Sequence, residues 1–123
     1  MSLTINNRTV NDVSIVDVTG RITLGDGASS LREALSTMGK EGYKKILLNL
    51  AETTTIDSSG LGVLVSGFAS ITHHGGQLKL VNLSTRIRDL LLITKLFTVF
   101  EVFEDEAAAI RSFGEATMPA SRG

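Results

Sequence analysis

Strand-like apolar runs alternating with stretches of helical period predict an α/β domain, a mixed, mostly parallel β-sheet of about four to five strands packed with about four helices. Three observations carry that expectation. Runs such as Lys44 to Leu50 and Gln77 to Leu83 are short and apolar, as buried strands are. Between them Leu61, Leu64, Val65, Phe68 and Ile71 fall on one helical face. The first two runs are separated only by Asn11-Asp12, a hairpin turn, so the sheet is mixed.

The first strand is expected over Leu3 to Val10 and the second over Val13 to Thr19, ended by Gly20. Arg21 to Gly27 is a loop in which Gly25-Asp26-Gly27 invites a turn. A helix follows to about Met38, with Leu31, Leu35 and Met38 on one face, Ser30 and Glu33 as a capping box and Gly39 as its close. The third strand is Lys44 to Leu50, and Ala51 to Thr55 is a polar loop anchored by Ile56. The second helix begins at Asp57 or Ser58, runs to about His74 and stops at Gly75-Gly76. Gln77 to Leu83 is the fourth strand, and Ser84 caps a third helix carrying Ile87, Leu90, Leu91 and Thr94. Phe97 to Phe103 reads as a short strand or extended link. Asp105 to Phe113 is a last helix, with Ile110 and Phe113 inward and Gly114 as its stop. One domain over 1–114 and a frayed tail over 115–123, holding Pro119, complete the reading.

A chain of 123 residues with 42% apolar and 20% charged residues suits one globular domain. At this size it buries about two-thirds of its unfolded surface, so neither metal nor disulfide is needed to hold it. A net charge of −1 gives no field that points to nucleic acid or an anionic membrane. The absence of cysteine excludes disulfides, thiolate metal sites and cysteine nucleophiles. No apolar run is long enough to span a bilayer, and the first residues alternate like a strand, so the cytoplasm is the expected location.

The run Asp57-Ser58-Ser59-Gly60-Leu61-Gly62 stands where strand gives way to helix. Short side-chain oxygens there accept orphan backbone N–H bonds, and the helix N-terminus tolerates added negative charge. Two functions therefore fit the residues: a helix cap, the plainer one, or a place for a phosphate on a serine hydroxyl. Gly60 and Gly62 are expected to leave the surface bare for a partner's backbone.

Catalytic constellations are missing. Neither Ser58 nor Ser59 has the glycine spacing of a nucleophile elbow. His73 and His74 are roughly 20 Å from Ser58 along the same helix, too far for proton transfer, and adjacent helical residues diverge, which argues against a metal pair. Neither a dinucleotide fingerprint nor a phosphate loop is present. Glu101, Glu104, Asp105 and Glu106 read as a solvated acidic helix start, and Arg86, Arg88 and Lys95 as a basic face without neighbouring aromatics. The chain is therefore expected to be a binding module and not an enzyme, with no cofactor, no metal, no nucleic acid and no membrane insertion.

The sequence resembles the anti-sigma factor antagonists of bacteria, the STAS-domain family, from about Leu3 to Phe113. The likeness rests on Val18-Thr19-Gly20-Arg21, on Leu47-Leu48-Asn49-Leu50 followed by Ile56-Asp57-Ser58-Ser59-Gly60-Leu61-Gly62, on Gly75-Gly76 before Leu78-Lys79-Leu80-Val81, and on Leu96-Phe97. The resemblance implies that Ser58, directly after the aspartate, is a phospho-acceptor. It implies that the unphosphorylated form binds an anti-sigma factor serine kinase and so frees a sigma factor, and that a metal-dependent phosphoserine phosphatase resets the switch. It further implies a contact surface of Asp57, Ser59, Gly60, Leu61 and Gly62, joined by Thr23, Leu24, Gly25 and Asp26 from the loop before the first helix. Thr53-Thr54-Thr55 depart from the family's more apolar pattern, leaving alternative acceptors or hydroxyls that cap a loop. A non-switching STAS scaffold, in a signalling assembly or a transporter, is the alternative function.

Overall fold

Asn11 and Asp12 both adopt left-handed backbone angles, φ 49° and 64°, and their short polar side chains tolerate that region. They join β1 (Leu3–Val10) to β2 (Val13–Ile22) as an antiparallel hairpin, with Val10 opposite Val13 and Leu3 opposite Gly20. The computed structural model describes residues 3–117. The chain continues through α1 (Asp26–Lys40), β3 (Lys45–Asn49), β4 (Thr53–Ile56), α2 (Ser58–His73), β5 (Gln77–Val81), α3 (Thr85–Ile93), a 3-10 turn (Leu96–Thr98), β6 (Val102–Phe103) and α4 (Glu106–Thr117).

The expected α/β class and mixed, mostly parallel sheet are present. The order is β1-β2-β3-β5-β6, with β4 also paired to β2, and only the opening hairpin is antiparallel. Alternation along the strands divides the core. Val16, Val18, Ile22, Ile46, Leu48, Leu78 and Leu80 pack on one face against Leu31 and Leu35 of α1, Leu64 and Ile71 of α2 and Ile87 of α3. Val13, Ile15, Leu47 and Val81 pack on the other against Ala109 and Phe113 of α4. There Lys79 is buried, its Nζ 4.6 Å from the Phe113 ring centre, 2.9 Å from Ser112 Oγ and 2.9 Å from a Glu101 carboxylate oxygen. Beyond α4 this face is crossed by a polar ladder. Arg8 pairs with both Asp17 and Glu106, Asn49 donates to Asp17 at 2.7 Å, and Asn82 donates to Asn49 at 3.0 Å.

Several boundaries differ from the sequence reading. β2 does not end at Gly20. That residue takes φ 115° at a register shift, and the strand continues to Ile22 to receive β4. Thr53 to Ile56 is that strand, not a loop; the buried Thr53 satisfies its hydroxyl on the Val18 carbonyl at 2.8 Å, and Thr54 donates to Gly20. α1 begins at Asp26 and not at a Ser30 cap, and it runs through Gly39 to Lys40 before Gly42 turns the chain at φ 87°. β5 ends at Val81, because Asn82 turns left-handed at φ 62°. The extended link expected over 97–103 is mostly the 3-10 turn and irregular chain, with two residues of β6. α4 passes through Gly114 to Thr117, and of the expected tail, residues 118–123 lie outside the described residues.

Candidate functional site

β4 delivers the chain to the start of α2 at the far end of β2, where Ile22 stands opposite Ile56. Asp57 is the N-cap of α2, in extended conformation, and its Oδ1 accepts the Gly60 amide at 2.9 Å. Its Oδ2 accepts the Leu24 amide, also at 2.9 Å, from the connection between β2 and α1. The amides of Leu24 and then Gly60 hold the Asp57 carboxyl below the usual carboxylate range, so it is anionic at neutral pH. Ser58 is the first helical residue, directly after that cap, and is exposed at the positive end of α2.

The motif's two glycines do different work. A Cβ on Gly60 would stand 2.1 Å from the Ile22 carbonyl oxygen, so this glycine lets α2 seat against the end of β2. It is buried and offers no bare surface, contrary to expectation. Gly62 is exposed and a Cβ there would meet nothing within 4 Å, so it alone leaves the helix surface bare. Ser59 and Leu61 are half-buried beside it, and Leu61 packs on the core. The apolar face of α2 is also rotated from the expected one. Val63, Leu64, Gly67 and Ile71 are buried, while Val65 is 37% exposed and points outward.

The second predicted segment meets the first. Thr23 is half-buried, and Leu24, Gly25 and Asp26 are exposed. Gly25 takes φ 103° so that the chain can turn directly into α1, and the Leu24 side chain is 80% exposed. The Leu24–Asp57 hydrogen bond, spanning 33 positions, joins the segment to Ser58's surroundings. Sequence reasoning had no signal for that bond.

Other candidates separate from this site. Among the described residues no group of three metal-ligating side chains forms. Glu106 and Glu101 are taken by Arg8 and Lys79, and Asp105 caps α4 through the Ala108 amide. Arg88 lies over the Phe97 ring at 5.7 Å, so the basic face does have an aromatic neighbour. His73 and His74 stack edge to face at the far end of α2, about 22 Å from Ser58 at the helical rise. Among the described residues no helix is long and apolar enough to cross a membrane.

The family model described as STAS domain matches residues 4–109. The anti-sigma-B factor antagonist of Bacillus subtilis is 36% identical over 92 residues, which is 75% of this chain and 82% of that protein. A relative from Thermotoga neapolitana is 36% identical over 70 residues, covering 57% of this chain and only 62% of that protein's length. Two solved structures share the fold. The Bacillus cell fate determinant SpoIIAA in its phosphorylated form superposes with TM-score 0.70 at 20% identity, over 89% of this chain and 99% of the other. A sulfate transporter family protein from Wolinella succinogenes superposes with TM-score 0.74 at 22% identity, over 85% and 84%.

Proposed function

Because the chain belongs to the STAS-domain family of anti-sigma factor antagonists, we propose that it is an anti-anti-sigma factor switched at Ser58. The unphosphorylated form binds an anti-sigma factor that is also a serine kinase, and a sigma factor is released. Within the complex the Ser58 oxygen attacks the γ-phosphorus of ATP, its proton passes to a base of the kinase, and ADP leaves. A phosphoserine phosphatase restores the hydroxyl. The observation that carries this reading is the exposed Ser58 hydroxyl in the first turn of α2, directly after the anionic Asp57 cap.

The binding surface in this reading combines Leu24, Ser58, Ser59, Leu61 and open Gly62, with Thr23, Gly25 and Asp26 at its rim and buried Gly60 holding it in place. A neutral serine leaves that surface compatible with an apolar partner. A phosphate adds roughly −1.5 to −2 charges beside Asp57, and burying that charge opposite a surface shaped for a hydroxyl costs several kcal/mol. The helix N-terminus lets the free protein carry the phosphate without unfolding. Such a regulator is expected in the cytoplasm, where its kinase finds ATP.

The test is phosphate transfer from ATP by a serine kinase encoded beside this chain's gene, read by intact mass. One added phosphate on the wild type and none on Ser58→Ala supports the proposal. No phosphate on either, with a tight complex retained, favours a second reading, a fixed docking module. The shared fold with a sulfate transporter family protein gives that reading its ground.

A further inference from the structure

The two oxygens of Asp57 do separable work. The Oδ1 bond to Gly60 is one that an N-cap ordinarily makes, and it closes the first turn of α2. The Oδ2 bond to Leu24 adds nothing to the helix itself. It reaches instead into the three residues between β2 and α1, whose other backbone bonds run to α1: Thr23 accepts from Ala28 at 2.9 Å and Gly25 from Ser29 at 3.0 Å. Among the described residues, the Oδ2 bond is the one hydrogen bond between this connection and the start of α2. It also fixes the backbone of Leu24, the most exposed large apolar residue among the described residues, at 80%. An apolar residue whose backbone is held in place binds without first losing the freedom of a loose loop.

Ser58 is the next residue after Asp57, so any charge placed on it acts at short range on that carboxylate. The Leu24 amide has a single proton. A phosphate on residue 58 repels the carboxylate that holds this proton and offers competing acceptor oxygens. Resting on the reading of Ser58 as a phospho-acceptor, we infer that Asp57 is a positioning residue: its Oδ2 straps Leu24 beside Ser58 into one docking surface, and negative charge at residue 58 loosens the strap. The switch then acts twice, once by charge at the interface and once by freeing Leu24, whose reordering a partner must supply.

Asparagine separates the two bonds. It is as good an N-cap as aspartate, so in Asp57→Asn its single oxygen keeps the Gly60 amide, while the amide nitrogen has nothing to offer the Leu24 N–H. The experiment is amide hydrogen exchange on the full chain in three forms: wild type, Asp57→Asn and protein carrying phosphoserine at position 58. The expected result is about tenfold faster exchange at Leu24 in both altered forms, with Gly60 changed by less than about threefold. Unchanged Leu24 exchange in Asp57→Asn overturns the strap. Equal acceleration at Leu24 and Gly60 also overturns it, because it reports a frayed helix. Unchanged Leu24 exchange in the phosphorylated form overturns the coupling. Ser58→Glu provides the charge if Asp57→Asn does not fold. No partner is needed for this measurement. Phosphate that abolishes partner binding while Leu24 exchange stays at the wild-type rate therefore removes the coupling and leaves the Ser58 switch standing.

Discussion

Placing one methyl group on each motif glycine in turn has opposite predicted effects two residues apart. In Gly60→Ala the new Cβ stands 2.1 Å from the Ile22 carbonyl oxygen and 3.0 Å from methyl carbons of Ile22 and Ile56. An unstrained carbon–oxygen contact is about 3.3 Å, so the overlap exceeds 1 Å, and the opposing atom is backbone in a paired strand. Overpacking of this kind costs about 3 kcal/mol, and the better helix propensity of alanine returns about 1, a net loss of about 2 kcal/mol. At roughly 4 °C per kcal/mol for a chain of this size, the melting temperature falls by about 8 °C. In Gly62→Ala the Cβ meets nothing within 4 Å, so only the propensity remains and melting rises by about 4 °C. Calorimetric melts of the two variants and the wild type test this. A Gly60→Ala melt within 2 °C of wild type would refute the claim that α2 is seated on the Ile22 carbonyl.

Three further outcomes are expected. Under the proposed switch, Ser58→Ala binds the kinase constitutively and Ser58→Asp binds it at least about tenfold more weakly by calorimetry; equal affinities would sink the charge argument. Arg8, and to a lesser degree Asn49, hold the Asp17 carboxyl below its ordinary range, so Asp17 contributes stability above about pH 4 that is lost as pH falls through its lowered folded value. Urea unfolding of wild type and Asp17→Asn should therefore converge below that pH, and a constant gap contradicts the pairing. Lys79→Met should melt within about 4 °C of wild type, because methionine fills the space beneath Phe113 and the exposed Glu101 is left in water. A collapse of the fold in that variant would mean that the buried charge is indispensable.

The hairpin, the buried central strands and the α2 start were legible because each rests on local chemistry: a left-handed Asn-Asp turn, continuous apolar runs and a short-chain cap. What escaped the sequence depends on tertiary partners. Thr53 to Ile56 lacks apolar alternation, and it is a strand only because β2 offers a free length and the Val18 carbonyl accepts the Thr53 hydroxyl. Two glycines that carry no signal in the apolar pattern are packing residues. Gly27 sits against the Arg21 carbonyl, with a Cβ separation of 2.3 Å, and Gly67 admits Leu35 between α1 and α2. Because periodicity treats glycine as blank, the buried face of α2 was read one step away from where it lies, with Val65 inside. The position of Ser58 is legible in the sequence, whereas its link to Leu24 spans 33 residues and arises only in the folded chain.

The seating of Gly60 under Ile22 has a consequence for the proposed modification of Ser58. Ser58 belongs to a turn whose backbone is fixed from below by a strand and from the side by a cap. An enzyme acting there meets a folded, curved epitope and not an extended substrate threaded through a cleft. Recognition then reads three-dimensional shape. A short excised peptide carrying the same letters loses the β2 platform that creates that shape, and with it the means of being recognised.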